Sequence, residues 1–473
     1  MSLIRCAARS LVPVAVATLI AGCALGPNYK RPTAEVTAQF KNPVSTTGQV
    51  PSDQWWTLFG DTVLNDLEAQ VEVSNQNIAQ AAAAYMQARA VVRQDRSNLL
   101  PSVGVSGGVT RSGGGSFSSG GSSTSTTYQL SPSASWELDV WGRLRRTLEN
   151  AHAGAQASAA DLANAKLTAQ SQLAIAYLQL RGADAQRRLL SDTEVAYART
   201  LTITQNRYTV GTAARTDVLQ AQTQMYSAQD QEQSEVLQRA QLENAIAALV
   251  GKSASGFTIA PRDNWDISVP QIPAGMPSEL LLRRPDVSAA ERQMAAANAT
   301  IGVQEANFFP AITLTSSLDF VSTIAASSAI FDTHSQSHSI AGQLSQTLLD
   351  FGGRRAQVDA ARNSYAQAVA SYRQSVLTAF QDIENDLAAA DIYKKEFDIR
   401  SKNSEAADLT EKLTLNQYKA GTVDFTTVVV EQTAALNSRL QLAQIKVSQQ
   451  TNAVSLITDL GGGWKAPDYS HYQ

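Results

Sequence analysis

The chain has 473 residues, of which 44% are hydrophobic and only 17% charged, with a formal net charge of −4. That balance excludes a nucleic-acid partner, which asks for a basic patch. Two cysteines, Cys6 and Cys23, and four histidines, His152, His334, His338 and His471, offer no disulfide framework, zinc ribbon or thiol nucleophile. After residue 20 no stretch supplies the ~18–20 apolar residues of a membrane-crossing helix. A helical inner-membrane protein is thereby excluded, whereas a membrane β-barrel is not.

At the N-terminus, Arg5 and Arg9 precede an apolar run from Leu11 to Ile20, and Ile20-Ala21-Gly22-Cys23 follows. A basic start, a short apolar centre and small residues before a cut describe a secretory signal over residues 1–22. The final cysteine makes this a lipobox and resembles the leaders of bacterial lipoproteins. The resemblance implies that Cys23 is diacylated and becomes the mature N-terminus. Ala24 stands where an aspartate would imply inner-membrane retention, so the outer membrane is expected.

The body is duplicated. Asn98-Leu99-Leu100-Pro101 recurs as Asn307-Phe308-Phe309-Pro310, and Trp141-Gly142-Arg143 as Phe351-Gly352-Gly353-Arg354. Arg207-Tyr208-Thr209-Val210-Gly211-Thr212 recurs as Gln417-Tyr418-Lys419-Ala420-Gly421-Thr422, and Gln222-Thr223 as Gln432-Thr433. A near-constant offset of about 210 residues makes the chain a tandem repeat of a large unit, expected over 61–251 and 277–461 with a linker at 252–276 and a tail at 462–473.

Each unit reads as helix, two strands, very long helix, turn and helix. No proline occurs between Pro132 and Pro261 or between Pro310 and Pro467, so neither stretch carries the ~3 kcal/mol break that an interior proline imposes. Gly211 and Gly421 each follow a tyrosine that ends a periodic run, the place of a left-handed residue just past a helix end. Hairpin tips are therefore expected at 208–216 and 418–425. The long helices have alanine-rich seams at three–four spacing and faces of Gln, Ser, Thr and Asn, which suggests close helix packing with the other faces wet. Gly142 to Tyr208 alone spans 67 residues, or ~100 Å at ~1.5 Å per residue.

Strands are expected at about 100–109, 128–138, 311–320 and 339–348. They alternate apolar residues with Ser, Thr, Gln and Gly, as lipid outside and water inside demand; Pro132 falls inside the second strand, where a proline weakens the pattern. Four strands cannot close a barrel, and an open edge cannot sit in hydrocarbon. Other copies must complete it, and the sequence does not choose among two, three and four. A wet helical tube feeding a wet barrel is a conduit, and no constellation of side chains suggests a catalyst, a metal or a cofactor. His334 and His338 fall in a Ser-rich loop outside any helical pattern. Trp136 and Trp141 suit an interfacial girdle, whereas Trp55 and Trp56 read more readily as packing than as headgroup anchors.

The lipobox, Gly26-Pro27-Asn28-Tyr29, Asp53-Gln54-Trp55-Trp56, Leu282-Arg283-Arg284-Pro285-Asp286-Val287 and the paired Tyr-x-x-Gly-Thr tips together resemble outer membrane factors of the TolC/OprM type. The closest likeness is to the lipoprotein NodT-like branch that serves resistance–nodulation–division (RND) pumps. The resemblance implies a mainly α chain of six helices and four strands. Three copies would build a 12-stranded barrel in the outer membrane and a 12-helix periplasmic tube. It implies an equatorial belt from 23–60, Lys252–Met276 and the C-terminus. It also implies docking to a periplasmic adaptor and an inner-membrane RND pump, with the tips Tyr208, Gly211, Thr212, Tyr418, Gly421 and Thr422 as the docking candidates. The family closes its tube near the second hairpin, often with aspartates. Here Asp217 keeps that place in the first repeat, Thr427 and Val430 take it in the second, and Asp424 lies out of register. A constriction of Thr426, Thr427 and Val430 is the expectation. Alternatives are a conduit for type I protein secretion and, from another class, a trimeric structural lipoprotein with no channel.

Overall fold

The structure, a computed structural model, describes residues 24–33, 39–42, 53–115, 122–262, 268–272, 283–323, 331–332 and 335–467. Cys23 and His334 lie outside the described residues. A short turn at Trp55–Phe59 leads to α1 (Thr62–Ser74) and α2 (Gln76–Ser97). The hairpin β1 (Ser102–Gly115) and β2 (Ser122–Leu138) follows, then α3 (Arg143–Thr209) and α4 (Arg215–Leu249). The second repeat runs α5 (Pro285–Ala306), β3 (Ala311–Ser322), β4 (Gln336–Ser345), α6 (Gly353–Ala420) and α7 (Phe425–Asp459).

Where one continuous first helix is expected, α1 and α2 form a single rod interrupted at Asn75. Its side-chain oxygen accepts hydrogen bonds from the Asn77 and Ile78 backbone N–H groups at 2.9 and 3.1 Å, capping α2. Its amide donates to the Leu249 carbonyl at 2.8 Å, tying the break to the end of α4. Arg284 makes the matching joint in the second repeat, donating to the Asp459 carbonyl at 3.1 Å where α5 meets α7. Two end-to-end pairs thus run beside two unbroken rods of 67 and 68 residues, each ~100 Å long.

Neighbour relations follow from alanine and glycine. Helix α3 packs against α2 and α5 in its upper half and α4 and α7 in its lower half, and buries alanines along much of its length. At Gly182 a Cβ would stand 2.5 Å from Val447 Cγ2, so only glycine lets α3 and α7 cross this closely. Helix α2, at the edge of the protomer, buries no residue. Along α6, at the other edge, Leu377, Ile399, Leu409 and Leu413 stay exposed.

The four strands form one antiparallel sheet in the order β1-β2-β3-β4, so the two repeats join through β2 and β3. Register places Val103, Val105 and Val109 beside Ala134, Pro132 and Tyr128 on one face. Leu314, Leu318, Ile340 and Leu344 continue that face across β3 and β4. Val103 is 80% and Ile340 82% exposed. The opposite face is Ser106, Thr110, Gln129, Ser133, Thr315, Ser317, Ser339 and Gln343.

The first hairpin reaches further into its Gly/Ser/Thr segment than the pattern alone indicates, because ladder hydrogen bonds require no apolar side chain. Pro132 interrupts only the ladder to β3, where Ser131 and Pro132 have no partners, and the strand continues past it. The ladder of β4 stops at Ser345, leaving Leu348 beyond it.

The largest apolar core lies at the equator, where Trp55, Trp56, Phe59 and Leu64 meet Tyr177, Leu180, Ile246 and Ile457. Trp55 and Trp56 therefore pack, ring edge to ring face at 5.8 Å. Within this core Glu68 is fully buried, and neither carboxylate oxygen has a hydrogen-bond partner. Burial disfavours its charge and pushes its pKa up from 4.5 to about 9. In that window the folded chain holds a proton that the unfolded chain has released, so stability drains away as pH rises. Glu68→Gln keeps the shape and removes the equilibrium. Its melting temperature is expected to fall less than that of the parent between about pH 4.5 and 9. Parallel curves for the two proteins in a thermal melt series would refute the assignment.

Candidate functional site: the hairpin tips and the polar wall

At both tips the Tyr-x-x-Gly-Thr motif closes the end of a long helix by backbone hydrogen bonding. Thr212 N donates to the Arg207 carbonyl at 2.8 Å and Gly211 N to the Tyr208 carbonyl at 3.0 Å. Thr422 N and Gly421 N repeat this to Gln417 and Tyr418 at 3.0 and 2.9 Å. These are the paired bonds of a Schellman turn, which needs a left-handed residue at its glycine; φ is +77° at Gly211 and +78° at Gly421. Each threonine hydroxyl also donates to the same carbonyl as its own backbone N–H, at 3.0 Å.

The two tyrosines of the motif part ways. Tyr208 is exposed. Tyr418 is buried in a small cluster with Ala221, Phe425 and Val428, its ring edge-on to Phe425 at 5.3 Å. From the first hairpin, the Arg207 guanidinium lies 4.6 Å from the Tyr418 ring centroid and donates to the Tyr418 carbonyl. One side chain thus bridges both tips. It sits in the repeated motif as Arg207 against Gln417, and that mismatch between otherwise matching repeats is the sequence signal that marks it.

Of the constriction candidates, Asp424 is the N-cap of α7. Its carboxylate accepts from Thr427 N at 2.9 Å and Thr427 Oγ1 at 2.7 Å. The backbone bond first, then the hydroxyl bond, hold its pKa below the ordinary carboxylate range. Asp217, three residues into α4 at the place of Thr427, accepts from the backbone N–H of the N-cap residue Ala214 at 3.3 Å. Both aspartates therefore serve helix starts. Thr426, Thr427 and Val430 lie on the exposed side of α7, opposite buried Phe425 and Val428. Further up, Gln224 Nε2 donates to Thr433 Oγ1 at 3.2 Å between α4 and α7.

At the other end of the rods, Trp141 Nε1 donates to the Pro310 carbonyl at 2.8 Å and its ring stacks on Phe309 at 4.7 Å. Trp136 Nε1 donates to the Leu99 carbonyl at 3.0 Å. The segment that begins at Ala24 is clamped here. Buried Arg146 donates to the Leu25 and Gly26 carbonyls at 2.9 and 3.1 Å and to Asn28 Oδ1 at 2.9 Å. Leu25 N donates to the Trp141 carbonyl at 3.2 Å, and Asn298 donates to the Pro27 carbonyl at 2.8 Å. The Gly-Pro-Asn-Tyr motif is thus a strap across both repeats at the strand–helix junction.

Truncating Arg207 removes a cation–π contact worth about 0.5–1 kcal/mol at an exposed site together with its carbonyl bond. In Arg207→Ala, amide hydrogen exchange is expected to speed up at residues 418–425 as well as at 207–214. Faster exchange confined to the first tip would show that the hairpins are not coupled through this side chain.

The family described as outer membrane efflux protein matches residues 68–252 and 276–462, one stretch in each repeat. The chain is 30% identical over 466 residues to the toluene efflux pump outer membrane protein TtgF of Pseudomonas putida, covering 95% of this chain and 96% of that protein. It is 26% identical over 459 residues to the cation efflux system protein CusC of Escherichia coli, covering 96% and 99%. Its fold matches that of the solved outer-membrane channel OprN with a TM-score of 0.86 at 28% identity, over 93% of this chain and 100% of that one.

Proposed function

The chain belongs to the outer membrane efflux protein family, and on that premise we propose that three copies form a passive duct that carries small solutes out of the cell. The duct receives them from an RND-type pump through a periplasmic adaptor. The chain is an outer membrane efflux channel component and not an enzyme. The observation that carries the assembly is the pair of sheet edges, β1 and β4, that no strand among the described residues covers, on a sheet with one apolar and one polar face. In hydrocarbon those edges need partners, and a second copy offers the complementary edge.

The duplication specifies how they meet. Within the chain, Ser135 of β2 pairs with Thr315 of β3, and Leu138 with Ile312. Carrying that step from β4 of one copy to β1 of the next sets Ser345 opposite Ser106 and Leu348 opposite Val103. This register keeps the valines and leucines on one face and gives Leu348 its ladder. A protein carrying Ser106→Cys and Ser345→Cys is expected to run as a disulfide-linked trimer on a non-reducing gel. Gly107→Cys with Ser345→Cys, which sets the two thiols on opposite faces, is expected to stay monomeric. A dimer limit, or equal linking of both pairs, would overturn the closure.

Lipid anchoring at Cys23 completes the reading. Its support is the lipobox and the strap, because the Leu25–Trp141 bond ties the chain two residues after Cys23 to the tryptophan-bearing junction. Tryptophans favour headgroup depth, so an acyl chain starting there enters the inner leaflet directly. Docking of the adaptor at the two tips, and narrowing of the tube by Thr426, Thr427 and Val430, belong to the same proposal. In planar bilayers the purified protein is expected to conduct, and Val430→Gly or Thr427→Gly to raise its open probability. If neither substitution alters opening, the constriction lies elsewhere; a protein with no conductance under any condition would favour a structural lipoprotein.

A further inference from the structure

Charge is almost absent from the strands. Among their described residues the only lysine or arginine is Arg111, on β1. It shares the parity of Val103, Val105 and Val109, so it stands on the apolar face, and it is exposed there. The two carboxylates of the strands lie elsewhere. Glu137 pairs with Arg143 at 2.7 Å where β2 runs into α3, and Asp319 is on the polar face, accepting from Ser317 Oγ at 2.9 Å.

An arginine on the lipid side of a barrel is costly at the bilayer midplane and nearly free at its edges, so depth decides what Arg111 meets. It faces Thr126 across the β1–β2 ladder, ten residues along β2 from Trp136. At ~3.3 Å per residue and a ~40° tilt that is ~25 Å along the barrel axis, the height of an apolar band. Val105, Val109, Leu130, Leu318 and Phe320 fill the interval on this face. Tyr128, diagonal to Arg111, marks the upper rim. With Trp136 in the periplasmic girdle, Arg111 stands at the headgroup level of the outer leaflet.

The next copy brings a second group. In the β4-to-β1 register that sets Ser345 opposite Ser106, Ile340 lies opposite Arg111 and His338 lies diagonal to it. Diagonal neighbours stand ~7–8 Å apart, within reach of a long side chain. His338 is exposed on the same face, two residues from Ile340. Thr126, on the other flank of Arg111, adds a hydroxyl. We propose that each seam between copies holds a phosphate group of an anionic lipid of the outer leaflet, with Arg111 as its bidentate donor and His338 of the next copy as its second. The occupant is a lipid because the apolar band directly beneath these donors receives its acyl chains. The site rests on the closure proposed above, being incomplete without a second copy.

The test titrates the assembly, purified in mild detergent, with lipid A carrying both its phosphates, and counts bound molecules by native mass spectrometry. One molecule per seam is expected, and no retention of the same glycolipid stripped of phosphate. Arg111→Gln should weaken binding roughly tenfold, as the loss of a charge-assisted contact implies; His338→Ala should weaken it less, and Arg111→Lys least. Thr110→Arg combined with Arg111→Thr keeps the net charge but moves the guanidinium to the polar face, and should bind as poorly as Arg111→Gln. Inorganic phosphate should not displace the lipid. Binding like the parent's in Arg111→Gln or in the face-exchanged variant would overturn the inference. So would retention of the dephosphorylated glycolipid or displacement by inorganic phosphate. Linking of Ser106→Cys to Ser345→Cys in the same preparation reads the closure by itself. Linkage without lipid binding would sink the site alone, and absence of linkage the register on which the site is built.

Discussion

Backbone hydrogen bonds dictate the design. A strand whose apolar face meets hydrocarbon must give every N–H and C=O to a neighbour, since no water is there to take them. Four strands satisfy three ladders and, among the described residues, leave the outer edges of β1 and β4 without a neighbouring strand. The rest follows from closing that sheet with copies of itself. Both long helices leave the sheet at the same end, so closure of the strands gathers the rods into a tube. Small residues let the rods lie close enough to be a wall, and Gly182 marks how tightly α3 and α7 cross.

Duplication gives the two repeats one architecture, and the departures from it are where each half has a task of its own. Arg207 against Gln417 lets the first tip grip the second without a reciprocal grip. Arg146 receives the N-terminal strap; the corresponding position, Ala356, has no side chain to do so. Arg181 and Asp184 form a buried pair, with Arg181 also holding the Ala260 carbonyl, while Asp391 and Lys394 at the corresponding places reverse the order of charge and are exposed. Symmetry supplies the wall, and broken symmetry supplies its fastenings.

The repeated motifs divide into geometry and contact. Glycine and threonine of the tip motif complete a turn that any long helix needs before reversing. Asp217 and Asp424 in the same neighbourhood are spent on helix starts, so neither is a free acid awaiting a cation. What stays exposed on α7 beside them is two hydroxyl-bearing residues, Thr426 and Thr427, and Val430, a surface of low charge.

Much of this was legible in the residues alone. Proline-free stretches announce the long helices because proline is the one residue an uninterrupted helix cannot hold in its interior. Alternation along β3 and β4, the internal repeat and the glycines past the tips each express a local rule about pleat, copy or backbone angle. Local rules do not contain partners across hundreds of residues. The break at Asn75 is tied to Leu249 through its amide; Tyr418 but not Tyr208 is buried because Ala221, Phe425 and Val428 close around it and Arg207 of the other hairpin lies over its ring; the extra length of the first strand pair comes from a ladder that Gly and Ser join as readily as Val. Periodicity determined which elements form and which faces are dry. Only the tertiary arrangement decided which of two identical-looking residues is buried, because burial is a property of what lies opposite.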